Sequence, residues 1–115
     1  MKKVYYLSTC STCKKILSEL NLPHDFELQD IKSQAITTKQ LEEMKSLSGS
    51  YESLFSKRAQ RYKAMDLKTK NLTENDYKCY IQEHYTFLNR PVFVIDDEIF
   101  IGSSKKTVNQ VKTAL

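Results

Sequence analysis

The residues with the clearest chemical potential are two cysteines near the N-terminus, in the stretch STCSTCKK at positions 8–15. Cys10 and Cys13 are separated by two residues, and the chain of 115 residues contains only three cysteines. Thiols at this spacing can form a reversible disulfide, supply two ligands to a zinc ion, or do neither. All three interpretations fit the pattern alone, so the surrounding elements must be considered.

The flanking sequence predicts that the pair lies between a strand and a helix. Lys3–Leu7 is a short β-branched and aromatic run typical of a buried strand, and apolar residues recur at helical spacing from about Thr12 to Leu20. Cys10 would then precede the helix N-terminus, where free backbone N–H groups and the helix dipole favour a thiolate. Cys13, one helical turn further on, would lie within reach to resolve a mixed disulfide.

A lowered thiol pKa gives only a small gain in rate by itself. A shift from about 8.5 to about 6.5 raises the thiolate fraction at pH 7 about 25-fold, but the weaker base loses about 8-fold in nucleophilicity. The net gain is about 3-fold, so placement of a substrate beside the sulfur must supply most of the rate.

A zinc site would need further ligands, for which Cys79 and His84 are the candidates. They lie on one predicted helix about 140° apart around its circumference, so they would face one ion only if that helix broke. Cys79 falls opposite the apolar face, which predicts a solvent-side thiol. His84 falls on the apolar face, which favours a core histidine. The redox pair is therefore the favoured interpretation.

Arg90 and Pro91 form the second candidate feature. The proline can simply begin a strand. Alternatively, a cis peptide bond between the two residues would place Arg90 and a free backbone edge beside the cysteines. Arg58 is by itself typical of a surface residue, but together with Arg90 it could hold an oxyanion through two planar guanidinium groups.

The remaining elements complete an α/β pattern. The sequence predicts a half-exposed strand at 24–31, helices at 37–47 and 73–88 with N-caps at Thr37 and Thr73, two short helices within 51–65, a hairpin at 92–101 and a last helix from Ser103 or Ser104 to about Leu115. This order predicts one domain over 1–115: a mixed sheet of about four strands flanked by helices, with a helical insertion at about 37–88 between the second and third strands. A Cys-x-x-Cys between a strand and a helix is typical of the thioredoxin-like redox pattern.

Composition is ordinary for a soluble globular protein. Apolar residues make up 40% and charged residues 28%, and no apolar run approaches the ~20 residues of a membrane helix. An odd number of cysteines argues against a secreted disulfide framework, which favours the cytoplasm. The basic residues behind the net charge of +4 are scattered. We therefore expect no membrane association and no direct nucleic-acid contact, and the charge is compatible with a small anionic substrate or an acidic partner. We also expect a monomer.

Three segments together resemble the ArsC/Spx family. This thioredoxin-like group comprises glutaredoxin-dependent arsenate reductases, Spx-type regulators and YffB-like proteins. CSTCKKILSEL is similar to the family's N-terminal site, LFSKRAQRYKAMDL to its central segment and LNRPVFVIDDEIFIG to its Arg-Pro strand pair. The resemblance covers essentially the whole chain. It implies a thioredoxin-like fold with Cys10 as the nucleophile, Arg58 and Arg90 as anion contacts and Pro91 as a cis-proline.

The details of the resemblance are closest to family members with two cysteines. Arsenate reductases of this type have a site similar to Cys-x-x-Ser in place of Cys-x-x-Cys, and they carry an arginine after the last strand. This chain has Cys13 instead, and the segment IGSSKKT contains no arginine. Position 58 is similar to the YffB-like and Spx-like pattern.

Two functions follow from the resemblance. The first is a thiol-dependent oxidoreductase without a bound cofactor or metal, acting on arsenate or on another small oxyanion or thiol substrate. Cys13 or glutathione would resolve its adduct, with glutaredoxin or thioredoxin as partner. The alternative is an Spx-like redox-sensing regulator that binds RNA polymerase through a Cys10–Cys13 disulfide switch. This chain ends at Leu115 without the extra C-terminal stretch of those regulators, which favours the enzyme.

Overall fold

The computed structural model describes residues 2–115, which follow the predicted order β-α-β-helices-β-β-α. The elements in chain order are β1 (Lys2–Tyr6), α1 (Ser11–Leu20), β2 (Glu27–Asp30), α2 (Thr38–Ser48), α3 (Gln60–Ala64), α4 (Glu74–Glu83), β3 (Val92–Ile95), β4 (Glu98–Ile101) and α5 (Lys105–Ala114). Short 3₁₀ turns lie at Glu52–Leu54, Leu67–Thr69 and Tyr85–Phe87. No helix within residues 2–115 combines the length and apolar character needed to cross a membrane.

The chain divides into two compact units. The first comprises the chain up to Ala35 together with Arg90–Leu115, and the second is Ile36–Asn89. The second unit spans the segment in which the sequence predicts the helical insertion. That 1–115 forms a single domain stays a prediction, and its first residue, Met1, lies outside the described residues.

The first unit is built on a four-stranded mixed sheet with the order β2-β1-β3-β4. β1 and β2 are parallel, with Tyr6 opposite Asp30, and α1 connects them. β3 runs antiparallel to both β1 and β4, with Tyr5 opposite Val92. The predicted βαβ unit and the hairpin at 92–101 are both confirmed.

An apolar core joins α1 and α5 to the sheet. Its buried members are Val4, Ile16, Leu20, Phe26, Phe93, Ile95, Val108 and Val111. Fully burying a side chain of this size stabilises the folded state by about 1.5–3 kcal/mol. This packing fixes α1 against β1 and β3, and therefore fixes the position of its first turn.

The second strand is shorter than predicted. The sequence predicts a strand over 24–31, but β2 occupies only Glu27–Asp30. The segment before it closes a turn in which the Phe26 N–H donates to the Pro23 carbonyl at 3.2 Å. A turn and an extended strand cannot occupy the same residues, so the strand begins after Phe26.

The second unit is built from capped helices around an aromatic cluster. Thr37 and Thr73 are both N-caps, as predicted, and in the structure each forms a capping box, with Gln40 and Asp76 as the respective partners. The Phe55 ring contacts four other aromatic rings at centroid distances of 4.9–6.4 Å, those of Tyr62, Tyr77, Tyr80 and Phe87. The two short helices predicted within 51–65 are the 3₁₀ turn at Glu52–Leu54 and α3.

The helix predicted over 73–88 is too long. α4 ends at Glu83, and His84 adopts an extended conformation with φ −150°. The segment after it pairs with the chain before α3: Ser56 N–H donates to the Phe87 carbonyl and Asn89 N–H to the Leu54 carbonyl, both at 2.7 Å. Leu88, which lies between Phe87 and Asn89, is extended and forms a β-bridge with Phe55, so tertiary pairing overrides the helical pattern.

His84 also differs from its prediction as a core histidine on a helix face. It lies past the end of α4 and is half-buried. Its Nδ1 accepts the Thr86 N–H at 3.2 Å, and its ring stacks on Tyr85 with centroids 4.5 Å apart.

Candidate active site

Cys10 occupies the N-cap position of α1, at the end of the turn that follows β1. The Cys10 N–H donates to the Leu7 carbonyl at 3.0 Å, and the Lys14 N–H donates to the Cys10 carbonyl at 3.1 Å. The first bond closes the turn and the second begins the helix. The half-buried Cys10 side chain therefore lies beside the N-terminus of α1, as the sequence predicts.

The surroundings of Cys10 favour its thiolate. Partial burial is the largest single influence and raises the pKa of Cys10. It is outweighed by hydrogen bonds from the backbone N–H and the thiol of Cys13, by the positive charge of Arg90 and by the Thr12 N–H, so the pKa of Cys10 lies below its ordinary value. Helix N–H groups and a nearby guanidinium are the features that lower the pKa of reactive cysteines.

Cys13 has the opposite environment. It lies on the inner face of α1 with Ile16 and Leu20, and its side chain is 0% exposed. Burial raises the pKa of Cys13 to about 11, and the neighbouring Cys10 acts in the same direction. A hydrogen bond with the Leu7 backbone and the charge of Arg90 only partly oppose the shift. The pair thus combines an accessible, more acidic thiol with a buried, less acidic one.

Arg90 and Pro91 lie at the neighbouring strand end. The peptide bond between them is cis, as the resemblance implies. Because β1 and β3 are antiparallel with Tyr5 opposite Val92, the residues just before β3 are level with the end of β1. The Arg90 charge lowers the pKa of both Cys10 and Cys13, so the three side chains belong to one cluster.

Gly102 helps to fix the position of Pro91. The Gly102 N–H donates to the Pro91 carbonyl at 2.9 Å, and Gly102 has φ +99°, in a region that only glycine adopts without strain. This backbone requirement explains the glycine in IGSSKKT.

Arg58 belongs to the second unit. It is exposed and lies in the turn between the 3₁₀ turn at Glu52–Leu54 and α3. Its part in an anion site stays a prediction.

The two candidates for further metal ligands have different surroundings. Cys79 is exposed on α4, as predicted, and His84 lies beyond the end of that helix. Within the described part of the chain, no group of three or more His, Cys, Asp or Glu side chains is arranged to hold a metal ion.

Asp30, the last residue of β2, is a further residue of the site that the sequence pattern did not indicate. Its Oδ1 accepts the Ser8 N–H at 3.1 Å and the Lys32 N–H at 3.2 Å. The only available signal was the predicted strand topology, because the carboxyl ends of two adjacent parallel strands meet at one edge of a sheet. A carboxylate there can reach the turn that carries Cys10.

Comparisons with known proteins show the family of the chain. The family model described as ArsC family matches residues 5–111. No curated protein sequence matches the chain significantly.

Solved structures with the same fold include an arsenate reductase from Vibrio cholerae, with 17% identity, a TM-score of 0.78, and coverage of 99% of this chain and 97% of that one. A YFFB protein has 17% identity, a TM-score of 0.81, and coverage of 100% and 99%. A Staphylococcus aureus protein solved by NMR has 25% identity, a TM-score of 0.73, and coverage of 96% and 97%. The four-stranded sheet with flanking helices is therefore thioredoxin-like, and the family match over residues 5–111 shows that the chain belongs to the ArsC family.

Proposed function

We propose that this protein is a thiol-dependent reductase in which Cys10 is the nucleophile. The observation that carries the proposal is the contrast between the two thiols: an accessible Cys10 with a lowered pKa beside a buried Cys13 with a raised one. A nucleophile must be ionised and reachable at neutral pH, and Cys10 meets both conditions better than Cys13. A reducing compartment, the cytoplasm, suits three free cysteines.

The first substrate to test is arsenate, because the Vibrio cholerae neighbour is named an arsenate reductase. The Cys10 thiolate would form a sulfur–arsenic bond while one arsenate oxygen takes up two protons and leaves as water. Arg90, beside the sulfur, would attract the oxyanion and stabilise its charge. Arg58 would act as the second guanidinium.

Reduction would occur in the second step. A second thiolate, from Cys13 or from glutathione, attacks the Cys10 sulfur, so a disulfide forms and the sulfur–arsenic bond breaks. Its electron pair stays with arsenic, which changes from pentavalent to trivalent, and arsenite leaves. Glutaredoxin, thioredoxin or glutathione would then reduce the disulfide and supply the two electrons consumed.

A disulfide substrate would follow the same sequence. Cys10 would attack one sulfur and expel the other as a thiolate, and a second thiol would release the first sulfur from the mixed disulfide. The same residues serve both substrates.

A reductase assay tests the proposal with arsenate and with a small disulfide, each supplied with glutathione and glutaredoxin or with thioredoxin. Activity with either substrate, lost in Cys10→Ser and kept in Cys79→Ser, supports it. Cys79→Ser is a matched control because its thiol is exposed on α4 in the other unit. Activity with neither substrate, although Cys10 and Cys13 oxidise readily, would contradict the proposal and favour the regulatory alternative.

A further inference from the structure

Asp30 connects the edge strand of the sheet to the turn that carries Cys10. Ser8 and Thr9 form the turn between Leu7 and Cys10, and the Cys10 N–H closes it on the Leu7 carbonyl. The Ser8 N–H donates to Asp30 Oδ1 at 3.1 Å. The carboxylate therefore holds the turn from the side, two residues before Cys10.

Asp30 is itself held firmly. It pairs with Tyr6 in the parallel ladder, and the next N–H, that of Ile31, donates to the Tyr6 carbonyl at 2.9 Å. Beyond the strand, the Gln34 N–H donates to the Asp30 carbonyl at 2.8 Å. The buried Gln29 side chain donates to the Gln34 carbonyl at 3.0 Å. A carboxylate on so constrained a segment can fix the position of a neighbouring turn.

Nothing in the proposed chemistry uses Asp30 directly, since its bonds go to backbone N–H groups and to the hydroxyls of Ser8 and Ser33. We propose that Asp30 is a positioning residue: its carboxylate oxygen holds the Ser8 turn so that the Cys10 sulfur stays against the N–H groups of the first turn of α1. The inference rests on the proposed role of Cys10 as nucleophile.

The geometry supplies a substitution that separates position from charge. Both the Ser8 and the Lys32 N–H donate to the same atom, Oδ1. Asparagine has an oxygen at that position and no charge, so Asp30→Asn can keep both bonds. Asp30→Ala removes the acceptor and leaves two donors without it. If Asp30 acted only through its negative charge, both variants would lower the pKa of Cys10 by the same amount, because loss of a nearby negative charge favours the thiolate.

The test measures the rate of iodoacetamide alkylation of Cys10 against pH in the reduced protein, with peptide mapping. We expect Asp30→Ala to move the titration of Cys10 to higher pH by about half a unit or more. The thiolate fraction near neutral pH then falls about 3-fold and, because the stronger base is the better nucleophile, alkylation slows about 2-fold. Asp30→Asn should behave like the wild type. The control Asp25→Ala removes a carboxylate that pairs with Lys2 and should leave the titration of Cys10 unchanged.

Amide hydrogen exchange at Ser8 gives a second readout. It should be slow in the wild type and Asp30→Asn and faster in Asp30→Ala. If the Asp30→Ala protein does not fold, Asp30→Ser is used instead. The serine side chain is shorter than that of aspartate and cannot reach the N–H groups of both Ser8 and Lys32.

Unchanged Cys10 alkylation in the folded Ala or Ser variant would overturn the inference, as would an equal shift in the Asn and Ala variants. Alkylation needs neither substrate nor electron donor. The positioning role can therefore fail while the reductase activity stands, and the activity can fail while the positioning role stands.

Discussion

Cys10 and Cys13 lie one turn apart on α1, yet their side chains differ sharply in exposure: Cys10 is half-buried at the N-cap, and Cys13 is 0% exposed. The thiol of Cys13 and its backbone N–H both hydrogen-bond the Cys10 sulfur, which lowers the pKa of Cys10. The same contact raises the pKa of Cys13, in addition to the larger effect of burial. Two thiols that lie one helical turn apart therefore differ in pKa, with Cys10 the more acidic.

This separation predicts the order in which the thiols react. At pH 6.5, iodoacetamide should alkylate Cys10 first, because its lowered pKa favours the thiolate and its side chain is accessible. Cys13 should stay unmodified in the folded protein until the pH approaches its pKa of about 11. Peptide mapping after a short exposure measures the order. Faster labelling of Cys13 or Cys79 would show that the assignment is wrong.

Mild oxidation should join Cys10 to Cys13 and leave Cys79 free. Cys79 lies in the other unit and is exposed, whereas Cys10 and Cys13 already contact each other. After diamide treatment, mass spectrometry should find a loss of two hydrogens on the peptide containing both residues. The Cys79→Ser variant should behave identically. Disulfide-linked dimers through Cys79 as the main product would contradict the prediction.

Arg90 should govern both the acidity of Cys10 and its protection by anions. Sulfate or arsenate should slow Cys10 alkylation in the wild type. Arg90→Lys keeps the charge but loses the planar fork, so anion affinity should weaken by about 1–3 kcal/mol. Arg90→Ala should also raise the pKa of Cys10. The control Lys112→Ala alters an exposed charge in the last turn of α5, where it pairs with Glu19, and should have no effect. Equal protection of Cys10 by anions in the wild type and in Arg90→Lys would show that the guanidinium of Arg90 has no specific part in anion binding.

Arg58 is expected to contribute to the same anion affinity. If both guanidinium groups hold one oxyanion, Arg58→Ala should weaken protection of Cys10. The double variant with Arg90→Ala should then show an effect that differs from the sum of the single effects by about 0.5 kcal/mol or more. Anion affinities from alkylation rates give all four values of the cycle. Wild-type protection in Arg58→Ala would remove Arg58 from the anion site.

The buried Cys13 thiol should make stability fall at alkaline pH. Its pKa in the folded protein is about 11, raised above the ordinary value of 9.0. The unfolded chain therefore loses the proton first as pH rises, and this contribution to stability, complete below about pH 9, is lost progressively up to about pH 11. The whole loss is about 2–3 kcal/mol.

Urea unfolding under reducing conditions at pH 7.5 and pH 10.5 measures this effect. Cys13→Ala lacks the titrating thiol, so its stability deficit relative to the wild type should shrink at the higher pH. Cys79→Ser, which alters an exposed thiol, should track the wild type. A deficit for Cys13→Ala that is the same at both pH values would contradict the buried, neutral thiol.

Local sequence signals predicted those parts of the fold that local interactions decide. The N-caps at Thr37 and Thr73 and the hairpin at 92–101 need only neighbouring residues, and the structure contains all three. The end of α4 depends on Phe87 and Asn89 pairing with residues more than thirty positions earlier, which helical spacing cannot reveal.

In the candidate site, too, residues with a local sequence signal were predicted and a residue that depends on tertiary pairing was not. Cys10 and Cys13 were evident from their spacing, and the cis bond before Pro91 followed from the family resemblance. Asp30 was missed because a lone aspartate after a weak strand carries no local signal. Its significance comes from the parallel pairing of Tyr6 with Asp30, which brings two strand ends together.

The central claim is that Cys10 is the attacking thiol, and trapping its adduct tests this most directly. The reduced Cys13→Ser protein, also carrying Cys79→Ser, would be mixed with oxidised glutathione and analysed by mass spectrometry over time. We predict a single glutathione bound to Cys10 that accumulates, because no second protein thiol can release it, whereas protein retaining Cys13 should pass on to the Cys10–Cys13 disulfide. Failure of Cys10 to form the adduct, with Cys13 forming it instead in the reciprocal Cys10→Ser variant, would contradict the account.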